Sequence, residues 1–238
     1  MKKFLAILLS VTLIMMLTVS TAATEQSYLK AEELSDEVLL QLAMQGTDQR
    51  SVKAREATNV GYEVKIQDLP RTRGVEPTEE SEYEVYTVTL LEGRYMDEAG
   101  ELVEEYSSTV IVPYSSVSTN KTESKSSQNG VVYARVNYTT ITTDFEVRIK
   151  MTSTSHKVVN SASTATALKM RNTVYRNHEM LTGQNSSTKN SPSSNTWYSL
   201  ASRDTNDYSL SATVFGAEST AYFGASSPLI VECMVEGG

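Results

Sequence analysis

Cysteine is nearly absent: Cys233 is the only one in 238 residues. A chain with one cysteine forms no internal disulfide, so stability must come from burial and backbone hydrogen bonds. Histidine is almost as scarce, with His156 and His178 alone. Two histidines and one cysteine match no common zinc spacing. Neither "TSHKV" nor "NHEM" carries the paired histidine of a zinc protease. A nucleophile–base pair of Cys233 with either histidine is disfavoured by position. Cys233 falls on the apolar face of "LIVECMVE", where cysteine acts as a small hydrophobe. A reactive thiol needs an exposed, electropositive setting instead. A Gly-rich phosphate loop and a G-x-S-x-G nucleophile elbow are also missing. The sequence therefore leads us to expect no enzyme, no cofactor and no metal site.

Positive charge is in deficit. The net charge is −8, and it is unevenly spread. Residues 24–106 hold 20 acidic and 8 basic side chains, a balance of −12. Residues 107–238 hold 9 acidic and 11 basic, a balance of +2. Nucleic acid is excluded as a partner, because nothing neutralises phosphates in quantity. The acidic part and the near-neutral part read as two distinct segments. Asp97, Glu98, Glu101, Glu104 and Glu105 are acidic enough for calcium but lack regular ligand spacing. Acidic runs of this kind are usually solvated surface, although carboxylate pairs of the glycosidase type would be invisible at this level.

Long hydrophobic runs are missing except at the start. Lys2 and Lys3 precede the apolar stretch Phe4–Val19, and Ala22 and Ala23 are small residues at signal-peptidase spacing. We expect a cleaved signal peptide over residues 1–23. The run falls short of the roughly 20 residues that span a bilayer. No cysteine follows it for lipidation, and "VECMVEGG" has no apolar tail. The expectation is a secreted, extracellular protein, bacterial by its short lysine-led leader, with no stable membrane anchor.

The best helix signal is "SDEVLLQLAMQG". Ser35 can cap it, Asp36 and Glu37 suit its positive end, and Gly46 supplies a stop. "VGYEVKI" can form a strand. "DLPRTRGVEPTEESE" mixes proline, glycine and charge, so Asp68–Glu82 is expected as a linker. Arg71 and Arg73 make it a processing candidate, the segment before it then being a removable acidic pro-segment.

From Glu82 the period becomes two. A hairpin is expected to turn near Asp97–Gly100 in "LEGRYMDEAGELVEEYSSTVIV". "PYSSVSTNKTESKSSQNG" reads as a long polar loop. In "VVYARVNYT", Val132, Ala134, Val136 and Tyr138 share a dry face, and Tyr133, Arg135 and Asn137 a wet one. Val147, Ile149 and Met151 form the next dry set, then Leu168, Met170 and Val174. Tyr208, Leu210, Ala212 and Val214 follow, and finally Leu229, Val231, Cys233 and Val235. Half-buried strands hide their apolar faces by packing as two layers. About a third of residues 107–238 are serine or threonine, which suits strands, turns and wet faces. The expectation is a mainly β chain: an antiparallel β-sandwich over residues 82–238, preceded by residues 24–81 as an acidic N-terminal segment with a short helix and linker.

Trp197, the single tryptophan, follows the polar loop "NSSTKNSPSSN" and opens the strand "TWYSLA". Trp197 and Tyr198 then point to opposite faces. Core or rim packing is the plainer role for Trp197, since tryptophan is usually largely buried. Trp197, Tyr198 and Tyr133 are the candidate ligand-binding residues, for a glycan or a protein surface. The functional expectation is extracellular recognition without catalysis. The alternatives are a secreted hydrolase using carboxylates, and a toxin- or inhibitor-like protein guarded by its acidic pro-segment.

Overall fold

The computed structural model describes residues 28–66, 83–116, 127–161, 163–176, 179–180, 185–203, 206, 208–209, 213–224 and 228–237. The leader with Ala22 and Ala23, the processing candidates Arg71 and Arg73, and His178 and Leu210 lie outside the described residues.

Two short helices come first, α1 (Asp36–Met44) and α2 (Val52–Ala57). Strands follow: β1 (Thr58–Ile66), β2 (Tyr86–Met96), β3 (Leu102–Ser116), β4 (Ser127–Thr142), β5 (Val147–Asn160) and β6 (Ala165–Arg176). Then come β7 (Glu179–Met180), β8 (Ser186–Asn190), β9 (Tyr198–Ala201), β10 (Tyr208–Ser209), β11 (Thr213–Phe223) and β12 (Leu229–Gly237). A front sheet runs β10-β5-β4-β3-β2, with β9 also paired to β5. A back sheet runs β1-β12-β11-β6-β7, with β8 also paired to β6. The described strand pairings are antiparallel. The expected mainly β sandwich with a short helical segment ahead of it is what the chain forms.

The two sheets meet along the alternating residues. Val132, Ala134, Val136, Tyr138, Ile149 and Met151 of the front sheet share one core with Leu168, Met170, Val174, Leu229, Val231, Cys233 and Val235 of the back sheet. The valine, leucine, isoleucine and methionine side chains among them each contribute about 1.5–3 kcal/mol by leaving water. Tyr114 of β3 stacks on Phe223 of β11 across the layers, ring centroids 5.0 Å apart. Gly130 makes room for that ring, because a Cβ there would lie 2.8 Å from Phe223 and 2.5 Å from the Val159 carbonyl.

Helix α1 begins and ends as its sequence dictates. The Ser35 hydroxyl accepts from Val38 N at 3.4 Å. Gly46 sits at φ +64, while its N–H reaches Ala43 O and that of Thr47 reaches Leu42 O. This pair of bonds closes the helix end and needs a left-handed residue, which glycine adopts without a Cβ penalty. Helix α2 was not foreseen, since its six residues are too few to show a period.

Three expectations about pattern need correction. First, the outer face of the front sheet is not wet throughout. Tyr133 and Arg135 are 2 % and 0 % exposed, because residues 28–46 lie over them. Ala31, Leu39 and Ala43 form a second small core there with Val88, Leu90, Ile111 and Tyr133. Second, "YSLSATVF" is not one strand. Tyr208–Ser209 pairs with β5 in the front sheet, whereas Thr213–Phe223 pairs with β6 and β12 in the back sheet. The chain changes layer between them, so the inward residue of β11 is Phe215 and not Val214. Third, Ser186–Asn190, read as loop, is an edge strand on β6. Its exposed polar side chains carry no alternation to betray it.

Strand β1 pairs with β12 along its whole length, from Thr58↔Gly237 to Ile66↔Leu229. The sandwich thus includes residues before position 82. Removal of residues 24–73 would strip one edge strand from the back sheet and bare the edge of β12.

Candidate functional site

Adjacent rows of β4 and β5 build the most unusual chemistry on the outer face of the front sheet. Tyr133 and Arg135 come from β4 and Lys157 from β5, with Tyr133 directly opposite Lys157. Trp197 joins them from the turn before β9. Asn195 N donates to Val158 O at 3.0 Å and Asn160 N to Ser194 Oγ at 2.9 Å, which ties that turn to the end of β5. Asn195 lies at φ +61, in the left-handed region that asparagine tolerates better than most residues.

The four side chains interlock. The Arg135 guanidinium lies 3.8 Å from the Trp197 ring centroid. Tyr133 meets Trp197 edge-on, centroids 5.6 Å apart. Lys157 Nζ is 4.9 Å from both rings. Cations over aromatic faces gain about 0.5–2 kcal/mol, most when water is excluded. Residues 28–46 close the site. Lys157 forms an ion pair with Asp36 of α1. Arg135 Nη2 reaches the Ala31 carbonyl at 3.5 Å, and Nε donates to Thr109 Oγ1 at 2.8 Å. Arg135 Nη1 has no hydrogen-bond partner among the described residues. Burial lowers the Arg135 pKa to about 10, against the pull of Glu92, Glu32 and Asp36. Burial lowers that of Lys157 too, opposed by Asp36.

The candidate ligand residues therefore separate. Tyr133 and Trp197 touch, with Tyr133 covered and Trp197 half-buried. Tyr198 packs against the opposite, inner core, and its hydroxyl accepts from Ser193 N at 2.9 Å. They do not form one exposed aromatic strip.

A different exposed surface escaped sequence reasoning. The β2–β3 and β4–β5 turns lie side by side, as the row Met96–Leu102–Thr142–Val147 requires. Phe145 is 98 % exposed at one tip, and Met96 and Tyr95 are 61 % and 49 % exposed beside the other. Both turns are internally bonded. Asp97 Oδ1 accepts from Ala99 N at 2.9 Å and Glu101 N at 2.8 Å. Thr143 Oγ1 accepts from Phe145 N at 3.2 Å and Glu146 N at 3.0 Å. Arg148 of β5 bonds Glu101 at 2.6 Å and so links one hairpin to the other. The segments Asp97–Glu101 and Thr143–Glu146 contain Asp97, Glu98, Glu101, Asp144 and Glu146 and no lysine or arginine.

Groups with catalytic potential are held elsewhere. Cys233 is buried on the inner face, where burial pushes its thiol up to about 12. His156 is buried between the sheets and pushed down to about 3 by burial. Its Nε2 bonds Thr154 at 2.8 Å and its Nδ1 bonds Ser219 at 2.9 Å. Glu104 is buried and paired with Arg94 at 2.5 Å, and it accepts from Tyr106 at 2.9 Å and Ser51 at 2.8 Å. Among the described residues no three His, Cys, Asp or Glu side chains are grouped to hold a metal ion. On the outer face of the back sheet, Glu63, Glu232 and Glu218 stand in one row beside Arg171. Glu232 accepts from Thr173 at 2.6 Å, and its pKa is raised by burial and by the two neighbouring glutamates.

Antiparallel sandwiches serve many purposes, so this architecture places the chain in a broad structural class without assigning a role. No protein-family model, curated protein or solved structure matches the chain.

Proposed function

We propose that the protein is a secreted, non-enzymatic recognition module of bacterial origin that docks a protein surface through the hairpin end of its front sheet. One observation carries this: the near-complete exposure of Phe145 on a preformed turn, next to exposed Met96 and Tyr95. An aromatic side chain presented in water by a hydrogen-bonded turn suits a binding anchor, since the backbone needs little further ordering at docking. The surrounding carboxylates select a partner with basic side chains around an apolar hollow. Secretion rests on the leader pattern of residues 1–23.

The test is an NMR titration with a lysine–leucine amphipathic peptide and its glutamate–leucine counterpart. The lysine peptide should shift signals of residues 95–101 and 143–148, and Phe145→Ser should abolish this. Equal response to both peptides, or no effect of Phe145→Ser, sinks the proposal. A glycan array with wild type and Trp197→Ala checks the sugar version, which the covered state of Tyr133 does not favour.

Hydrolysis by carboxylates is the second reading. Glu232 favours it, as a buried carboxyl kept protonatable next to Glu218 and Glu63. Cleavage of glycan or peptide substrates by wild type and not by Glu232→Gln would establish it. No turnover by wild type removes it.

A further inference from the structure

We propose that the outer face of the front sheet around Tyr133, Arg135, Lys157 and Trp197 is a binding site for an acidic amphipathic helix of a partner protein, which residues 28–46 occupy in the isolated chain.

The site is built for carboxylates and its resident serves it incompletely. Arg135 is 0 % exposed and Lys157 is 2 % exposed, and they share the Trp197 ring, Lys157 also facing Tyr133. A buried cation is costly unless it is paired and fully hydrogen-bonded. Lys157 has Asp36, whereas Arg135 has no carboxylate partner among the described residues: its Nε donates to Thr109 Oγ1 at 2.8 Å and its Nη2 meets the Ala31 carbonyl at 3.5 Å. Its Nη1 is the unpartnered nitrogen noted above. Apolar side chains would seal a sheet against a helix at lower cost. A guanidinium stacked on tryptophan is suited to gripping a second carboxylate from an incoming helix.

The resident is held by a small contact set: Ala31, Leu39 and Ala43 are buried, Ala31 N donates to Glu92 Oε1 at 2.9 Å, and Asp36 pairs with Lys157. Helix α1 has nine residues, of which only Leu39 and Ala43 are fully buried. Helices this short are marginal without tertiary support. The chain beyond Gly46 is fastened separately. Thr89 N donates to Thr47 O and Gln49 N to Thr89 O, each at 2.9 Å. Ala54 of α2 enters the inner core, and β1 pairs with β12. Residues 28–46 can therefore open about Gly46 while residues 47–66 stay in place. The segment carries Glu32, Glu33, Asp36 and Glu37 against Lys30 alone. A competing helix needs the same features: a carboxylate in its first turn for Lys157, another for Arg135, and apolar residues at the spacing of Leu39 and Ala43.

Trp197, as the single tryptophan, reports on the site directly. Full-length wild type and full-length Asp36→Lys are titrated with a synthetic peptide of residues 28–46. A parallel series uses the same peptide carrying Asp36→Lys. In wild type the attached copy competes, and the apparent affinity is the intrinsic affinity multiplied by the open fraction. The full-length variant should bind the native peptide about tenfold tighter than wild type or better, and the altered peptide should leave Trp197 emission unchanged. Equal affinity for the two proteins, or no saturable change in Trp197 emission, overturns the proposal. If Asp36→Lys loses its strand circular dichroism, wild type decides the matter. A saturable response to the native peptide that disappears in Lys157→Met upholds the site, and no response overturns it. A wild-type dimer that the peptide dissolves would assign the occupant to a second copy and overturn the claim of a separate partner.

Discussion

Mild acid should destabilise the fold chiefly through His156. Its imidazole is buried with a pKa near 3, whereas in the unfolded chain it returns to about 6.5. Between those values the unfolded state takes up a proton that the folded state refuses. Stability therefore rises with pH across the window and falls on acidification from about 6.5 downward. The slope approaches ~1.4 kcal/mol per pH unit, so about 2 kcal/mol is lost by pH ~5. For a chain of this size that corresponds to about 4–8 °C in Tm. Two other shifts bear on the window. Glu232 is raised from 4.5, so its contribution is present in acid and lost as pH rises through its folded value, opposite in sign to His156. Asp48 is lowered from 3.8: burial alone would raise it, and Arg50 and Arg55 outweigh that effect. Its stabilisation is lost only in stronger acid. Burial away from water keeps the ring neutral, and the hydrogen bonds fix which nitrogen carries the proton. Asn172 Nδ2 donates to Ala201 O at 3.0 Å, which orients its Oδ1 to accept from the Thr154 hydroxyl. Thr154 must then accept from His156 Nε2–H, and the Ser219 hydroxyl serves Nδ1 or the Tyr133 carbonyl. The assay is urea unfolding between pH ~7.5 and ~5 for wild type and His156→Gln, with the slope following the linkage relation. Wild type should lose stability and the variant should be nearly flat over the same range. A flat wild type, or an undiminished slope in the variant, refutes the reasoning.

Phe215→Ala removes an aromatic ring from the shared core and should lower stability by about 3–5 kcal/mol in urea unfolding. The Cys233 thiol, pushed up by burial, should resist a disulfide reagent in the folded protein and react fully in denaturant. Cleavage at Arg71 or Arg73, wherever it occurs, should leave two fragments that co-elute in gel filtration, because β1 remains paired to β12. Gly216→Ala should destabilise the back sheet by about 1–3 kcal/mol, since a methyl there would come within 2.5 Å of Glu232 Oε1.

The layered fold was legible because strands β4, β5, β6 and β12 each alternate cleanly, and alternation is the direct imprint of a sheet with one buried face. Helix α1 was legible from Ser35 and Gly46, whose cap roles depend on neighbours in sequence. What stayed hidden depends on partners distant in sequence. Arg135 reads as a surface cation until Ala31 and Trp197 are brought over it from opposite parts of the chain. Strand β8 lacks alternation because both its faces are largely exposed. The split of β10 from β11 was masked by an accidental run of apolar residues at even spacing. Phe145 looks like an ordinary strand residue, and only the Thr143 turn lifts it into water.

The burial of Arg135 between Trp197 and the N-terminal segment is the feature on which the proposed site depends. The Arg135 side-chain NMR signals measure it directly. A guanidinium held 3.8 Å from the indole centroid should show ring-current-shifted δ protons, a slowly exchanging Nε–H, and nuclear Overhauser effects to the Trp197 ring and to residues 28–46. Unshifted δ protons with a rapidly exchanging Nε–H would contradict it.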